Sequence, residues 1–164
     1  MREVFMDYDH EMNMNNVQFG DMPPQAFLLG LLSAFDNRYQ ASADAYLKEI
    51  TWKQFFLIIC TNLCKEPPTI KELSEVMGSS HQNVKQILLK LEKKGFVLME
   101  PDENDKRKQR IRVTGKCMDY LEKNDNNGEQ SRYIIGRIFE GIDDKDLMVT
   151  IKTVMRMERN LTEI

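Results

Sequence analysis

The chain has 164 residues, of which 41% are hydrophobic and 30% charged, and its formal net charge is −3 at pH 7. This length suits one domain with a real core, or a smaller core joined to an oligomerisation arm, and excludes two large independent domains. No apolar run is long enough to cross a bilayer, no secretion signal is recognisable and the cysteines are three, so we expect a cytoplasmic protein with reduced thiols.

The first predicted elements are a tail and a long helix. Residues 1–24 mix Asn, Asp and Met without a clear period, which predicts a mobile tail. Residues 25–46 carry apolar side chains at three- and four-residue spacing, the pattern of a helix with one buried stripe. The stripe comprises Phe27, Leu28, Leu31, Leu32, Phe35 and Tyr39.

Two segments then have the form of a helical capping box, in which two side chains each bind a backbone N–H at the helix start. Thr51 and Gln54 precede the apolar run FFLIICTNLC, which predicts a helix nearly surrounded by protein. Thr69 and Glu72 repeat the box and predict a short helix that ends at Gly78, a residue suited to the left-handed conformation.

A further helix is predicted from the cap Ser80 to Lys94, after a tight turn. Its apolar residues lie at i, i+3, i+4 and i+7 and are Val84, Ile87, Leu88 and Leu91. If that face packs inward, the accessible residues near the helix start are Ser80, His81, Gln82, Asn83, Lys85 and Gln86. Two helices joined this way form a helix-turn-helix, whose second helix enters the DNA major groove.

The accessible side chains have the chemistry that reads bases. The amides of Gln82, Asn83 and Gln86 pair donors with acceptors, as an adenine edge requires. Lys85 and His81 could reach guanine or phosphate. Taken alone, these residues fit an ordinary solvent-exposed helix face as well as they fit a DNA-reading one. The neighbouring turn and hairpin are what favour DNA binding.

Two short strands, residues 96–99 and 109–114, are predicted next, with a hairpin tip at residues 102–108. Residues 81–116 hold ten Lys or Arg against five Asp or Glu, in a chain that is acidic overall. A thin basic ribbon fits the minor groove, whose negative potential is strongest at A·T-rich sequence. The alternative is a solvated loop, which does not explain so many basic residues directly after the candidate helix.

Each residue of this predicted wing has an expected role. Arg107 should insert into the minor groove, with Lys106 and Lys108 on the flanking phosphates. Asp105 should hold Arg107 through a charge-assisted bond. Arg110 completes the set expected to contact DNA.

The last fifty residues are predicted to be helical again. Residues 116–123 form one helix, and residues 124–128 (NDNNG) interrupt or fray it before a stripe that contains Tyr133, Ile134, Ile138 and Phe139. Asp143 starts the final helix, whose apolar residues include Leu147, Ile151, Val154, Met155 and Leu161. The stripes of the first and last helices lie far in sequence from the winged unit, so a two-fold partner is the simplest way to bury them.

These features, in this order, resemble the MarR-type transcriptional regulators, a family named for multiple antibiotic resistance. The matching pieces are ITWKQFFLIICTNL for the buried helix, PTIKELSEVMGSSHQNVKQILLKLEKKGFV for the helix-turn-helix, and the wing pattern Asp105-Lys106-Arg107 followed by Ile111-Arg112-Val113-Thr114. The resemblance covers residues 47–113, and more loosely the chain from Gln25. The chain departs from the family pattern at Gly115, directly after Thr114, and at NDNNG, both near the hinge into the dimer arm.

The resemblance implies a homodimer whose first and last two helices interlock, with winged units on the two halves of a pseudo-palindromic site. It also implies a small-molecule or redox signal at the cleft between the dimerisation and DNA-binding parts. We predict a mainly α fold: a tail (1–24), a helical dimerisation region (25–46 and 116–164) and a winged helix-turn-helix (47–115). The predicted function is a sequence-specific, double-stranded DNA-binding homodimeric repressor; the alternative is a winged-helix protein-interaction module without specific DNA binding.

Other chemistry is not expected. Cys60 and Cys64 lie at i, i+4, a spacing that suits a metal or an oxidant sensor, but their apolar run favours small core residues. With only His10 and His81, a structural zinc site lacks ligands. No nucleophile elbow or phosphate loop occurs, so we predict no enzyme, no metal, no cofactor and no membrane partner. The sequence does not specify the lining of an effector pocket, nor whether Cys60, Cys64 or Cys117 senses oxidant.

Overall fold

A computed structural model describes residues 22–124 and 129–164. The predicted tail therefore lies almost entirely outside the described residues, as does most of the NDNNG segment. The chain divides into two compact units, one ending at Thr114 and one spanning Gly115–Ile164.

The first unit is a winged helix-turn-helix preceded by a long helix, which confirms the predicted fold class. Its elements are α1 (Pro24–Tyr46), α2 (Trp52–Leu63), α3 (Ile70–Val76), α4 (His81–Lys93), β1 (Val97–Pro101) and β2 (Gln109–Val113). The strands form one antiparallel pair, in register from Val97 opposite Val113 to Pro101 opposite Gln109. The tip at residues 102–108 is where it was predicted.

Local sequence signals set the helix starts. At α2, Thr51 Oγ1 accepts from Gln54 N at 3.3 Å, and Gln54 Oε1 accepts from Thr51 N at 3.1 Å. At α3, Thr69 Oγ1 accepts from Glu72 N at 3.3 Å, and Glu72 Oε2 accepts from Thr69 N at 2.6 Å. Gly78 has φ of 57°, the left-handed conformation that closes α3 at low steric cost. Both capping boxes and the helix end are thus confirmed.

The core of this unit lies where α2, α3, α4 and the hairpin meet. Its fully buried side chains include Leu57, Ile58, Leu73, Val84, Leu88, Leu91, Phe96, Val97 and Ile111. The predicted inward face of α4 is confirmed. The prediction that protein nearly surrounds α2 was wrong for a single chain, because Phe55 and Phe56 are only half-buried and Leu63 is 76% exposed.

Helix α1 has no buried residue in the single chain. Tyr39 packs edge-on against Trp52 of α2, with ring centroids 4.6 Å apart, and it also stacks with Phe35. Leu29 and Phe35 are more than half exposed. Within the predicted apolar stripe of α1, Phe35 is thus exposed, while the other five residues are half-buried.

The second unit contains α5 (Gly115–Asn124), α6 (Glu129–Ile138) and α7 (Asp144–Leu161). Asp143 caps α7 as predicted, because its Oδ1 accepts from Asp146 N at 2.8 Å. No residue of α7 is buried, and its exposed apolar side chains include Met148, Val149, Ile151, Met155 and Leu161. Within the described residues, the apolar side of this helix is thus largely exposed.

Two of the three cysteines are buried. Burial raises the pKa of the Cys117 thiol to about 11, and burial followed by the nearby Cys64 raises the pKa of Cys60. Thiols with raised pKa are poor nucleophiles at neutral pH. Across residues 22–124 and 129–164, no helix has both the length and the apolar character needed to span a bilayer.

Candidate nucleic-acid interface

The start of α4 carries the predicted base-reading residues on its outer surface. The six residues are all exposed: Ser80, His81, Gln82, Asn83, Lys85 and Gln86. Between them, Val84 has no exposed surface, which fixes the rotation of the helix about its axis. The structure therefore leaves all six accessible at the N-terminal end of α4.

Two of these six residues also organise the turn. Ser80 Oγ accepts from Asn83 N at 3.2 Å, so it caps α4 as predicted. Asn83 Nδ2 donates to Ser79 Oγ at 2.8 Å, which holds the Asn83 amide in place. Within the part of the chain that the structure describes, Gln82 and Gln86 make no hydrogen bond to other side chains or backbone outside the helix. Their amides are available to a ligand, whereas one N–H of Asn83 is already used.

At the wing tip, the predicted bond between Asp105 and Arg107 is present. Arg107 Nε lies 3.1 Å from Asp105 Oδ1, and the Arg107 side chain is 91% exposed. Lys108 Nζ lies 3.7 Å from the other oxygen of this carboxylate. The hydrogen bond from the Arg107 side chain is the largest cause of the lowered pKa of Asp105. The action of these residues on DNA stays a prediction.

Most of the basic side chains of the wing have an acidic partner. Arg112 Nε lies 3.2 Å from Glu100 Oε2 across the hairpin, in addition to the pairs at Asp105. Lys106 is exposed and is the one basic side chain from 106 to 112 without an ion pair to any described residue. The positive charge counted in the sequence is thus partly offset inside the hairpin, and Lys106 carries the least compensated charge.

Arg110 lies at the base of the wing, apart from the tip. Its side chain is 33% exposed, and Nε lies 2.5 Å from Asp102 Oδ2. Its Nη1 donates to the Pro67 carbonyl at 3.0 Å and lies 3.5 Å from Glu72 Oε2. The sequence predicts Arg110 as one of the wing residues that contact DNA and indicates none of these three partners.

Asp102 is the buried carboxylate of the wing, with 6% of its surface exposed. Its Oδ1 accepts from the backbone N–H groups of Asn104 and Asp105 at 2.8 and 2.9 Å. The Arg110 bond and these two backbone bonds lower the pKa of Asp102 to about 2, against an ordinary value of 3.8.

This shift predicts a specific acid dependence of stability. Because the folded-state pKa is below the unfolded one, the contribution of Asp102 is complete above pH 3.8 and is lost as pH falls towards 2. We expect Asp102→Asn to flatten the fall in unfolding free energy across that window, as measured by urea denaturation at each pH. Glu103→Gln, at an exposed neighbour, should keep the wild-type slope. Identical slopes for Asp102→Asn and wild type would count against the assignment.

The helix and the wing face one common cleft of about 430 Å³. From α4 it is lined by His81 and Lys85, and from the wing by Arg107, Lys108 and Arg110. Helix α3 contributes a third wall that carries both basic and acidic side chains. The cleft therefore gathers basic side chains from two elements that sequence reasoning had assigned to the same ligand.

Among the described residues, no group of three or more His, Cys, Asp or Glu side chains is arranged to hold a metal ion. The arrangement instead suits a polyanion, since it offers amide groups on a helix beside basic side chains on a ribbon.

Residues 50–108 match the sequence model of the MarR family. A MarR protein from Peptoclostridium difficile is similar in structure, with a TM-score of 0.73 and 22% identity over 90% of this chain and 94% of its own. A mutant MarR from E. coli complexed with operator DNA has a TM-score of 0.70 and 19% identity, over 87% and 99%. The transcriptional regulator BldR from Sulfolobus solfataricus has a TM-score of 0.62 and 18% identity, over 83% and 99%. At sequence identities of 18%, 19% and 22%, this structural similarity establishes the fold of the chain and nothing further.

Proposed function

We propose that the chain is a DNA-binding transcriptional regulator of the MarR type and not an enzyme, because residues 50–108 match the MarR family model and the fold is similar to that of solved MarR proteins. In its finer form, the proposal is a homodimeric, sequence-specific repressor of the cytoplasm that binds a pseudo-palindromic operator and is released by a small-molecule or redox signal.

The common cleft between α4 and the wing is the observation that carries this proposal. A major groove accepts a helix, and the adjacent minor groove accepts an arginine on a thin ribbon. Gln82 and Gln86 offer unsatisfied amides to base edges, and Arg107 is the exposed side chain at the tip. The similar E. coli MarR mutant was solved with operator DNA, which adds support.

The proposal of a dimer depends on the open apolar faces of α1 and α7. Neither helix buries a residue in the single chain, although both carry large apolar side chains along one side. Helices that expose several large apolar side chains are typical of an interface. A two-fold partner would also place two α4 helices about 34 Å apart, one turn of DNA.

The releasing signal could act on a pocket or on a thiol. Oxidation requires a thiolate, and burial raises the pKa of both Cys60 and Cys117, so the half-buried Cys64 is the better candidate of the three for an oxidant signal. A dimer that covers a promoter represses by occlusion, and an effector that prefers the unbound shape would relieve that repression.

Two alanine variants test the proposed roles of the wing residues. Arg107→Ala should weaken binding by roughly 1–3 kcal/mol, mainly on duplexes with A·T-rich flanks. Lys106→Ala should weaken binding to all duplexes alike and reduce the slope of log K against log salt by about one. Fluorescence anisotropy across salt on duplexes with A·T and G·C flanks measures both effects.

Two outcomes of that titration would contradict the proposal. Equal losses on both flanks for Arg107→Ala would remove its minor-groove role. The absence of any binding by the wild-type protein at low salt would favour the alternative function, a winged-helix protein-interaction module.

A further inference from the structure

We propose that Arg110 is a positioning residue that fixes the wing against the start of α3 and so aims Arg107 at the minor groove. The inference rests on the proposed function. It replaces the expectation that Arg110 itself contacts DNA.

The guanidinium of Arg110 joins three separate segments. It donates to Asp102 at the start of the wing tip and to the Pro67 carbonyl in the loop before α3. It also faces Glu72 in the first turn of α3. A set of acceptors in several directions suits the planar guanidinium group of an arginine, which carries several N–H donors. A lysine presents a single compact charge in its place.

The backbone on either side of Arg110 makes the same connection. Ile111 N donates to the Pro68 carbonyl at 2.9 Å, and Thr69 forms an isolated antiparallel bridge with Arg110. The loop before α3 therefore lies along β2 like a short third strand. Side chain and backbone together hold the base of the wing to the helix-turn-helix.

Glu72 gives this joint a second role. Its Oε2 accepts from the Thr69 backbone N–H at 2.6 Å and from Thr69 Oγ1 at 2.9 Å, which is the cap of α3. The same oxygen faces Arg110 at 3.5 Å. One carboxylate therefore serves both the start of α3 and the wing.

From Arg110 a chain of contacts continues to the tip. Asp102 accepts from Arg110 with one oxygen and from the Asp105 backbone N–H with the other. Asp105 in turn accepts from Arg107 at 3.1 Å. Arg110 holds the Asp102 carboxylate, Asp102 holds the backbone N–H of Asp105, and the Asp105 carboxylate holds Arg107. The placement of Arg107 therefore depends on Arg110 through Asp102 and Asp105.

The first experiment needs no DNA. Amide hydrogen exchange followed by NMR should show faster exchange at Ile111 and Asp102 in Arg110→Ala, with unchanged exchange at the core residue Leu88. Arg112→Ala is the matched control, since it removes the same charge from the same strand but breaks only an exposed pair with Glu100. Wild-type exchange at both wing amides in Arg110→Ala would overturn the proposal.

The second experiment uses a duplex enriched from a random-sequence pool by the wild-type protein, and a copy with G·C flanks. Arg110→Ala should lose the preference for A·T flanks as fully as Arg107→Ala does, roughly a fivefold to hundredfold effect for one specific contact. The double variant with both Arg107→Ala and Arg110→Ala should lose no further preference for A·T flanks, because the two changes remove the same contact. Additive losses would overturn the proposal.

Arg110→Lys separates positioning from charge. Arg110→Lys should behave as Arg110→Ala does, because the positive charge is kept while the planar guanidinium group is lost. A variant that keeps the wild-type preference for A·T flanks would overturn the proposal. If Arg110→Ala does not fold, Asp102→Asn breaks the same ion pair and should give the same exchange and flank results. If the wild-type protein enriches no duplex, the proposed function fails, while the exchange experiment still decides whether Arg110 holds the wing.

Discussion

Replacing Leu88 by alanine is expected to lower the free energy of unfolding by about 2–5 kcal/mol. Leu88 is completely buried on the inner face of α4, where it packs in the core that sets the position of the exposed helix face. The truncation removes apolar contact and leaves a cavity that the surrounding helices can only partly fill. Urea denaturation followed by circular dichroism measures the loss.

The adjacent residue provides the control for this substitution. Leu89 is 42% exposed on the same helix, so Leu89→Ala should cost less than about 1 kcal/mol. Similar losses for the two substitutions would mean that α4 does not face the core as the structure places it. The assignment of Gln82 and Gln86 to the outer face would then lose its basis.

The double variant Ile151→Glu with Met155→Glu is expected to convert the proposed dimer into monomers. Both side chains lie exposed on the apolar face of α7, at 40% and 56%, and burying two carboxylates in an apolar interface is strongly unfavourable. DNA affinity should fall by roughly 10²–10⁴-fold, because two linked winged units no longer bind together. Sedimentation equilibrium and fluorescence anisotropy measure the two effects.

Lys152→Glu is the control for the dimer prediction, because it adds acidic charge to α7 at an exposed residue that was basic. It should leave the dimer intact. A wild-type protein that sediments as a monomer, or a double variant that remains dimeric, would show that α7 does not form the interface.

Short-range signals predicted most of the fold. The pairs Thr51 with Gln54 and Thr69 with Glu72 lie three residues apart, so their capping bonds could be read directly from spacing. Gly78 and the i, i+3, i+4, i+7 pattern of α4 are equally local. Such signals act within about two turns of helix. They can therefore be recognised from the sequence without knowledge of the tertiary structure.

Contacts between distant segments could not be predicted in this way. The bond from Arg110 to the Pro67 carbonyl spans 43 residues, and no spacing rule indicates it. Because side chains alternate along a strand, Arg110 and Arg112 fall on the same face of β2 and look equivalent in the sequence. In the structure the first is half-buried at a joint, while the second is an exposed partner of Glu100.

The partial exposure of α2 has a similar cause. An apolar run predicts burial but not what provides it, and Leu63 remains 76% exposed in the described part of the chain. The roles of the site residues on DNA were also predicted from chemistry and order. They remain predictions until DNA is tested.

Selection of duplexes from a random-sequence pool by the full-length wild-type protein tests most directly whether two α4 helices and two wings bind DNA together. We expect enrichment of an inverted repeat with half-site centres about 10 base pairs apart and A·T-rich sequence at the wing positions. A pool that shows no enrichment after selection at low salt would contradict sequence-specific DNA binding by this protein.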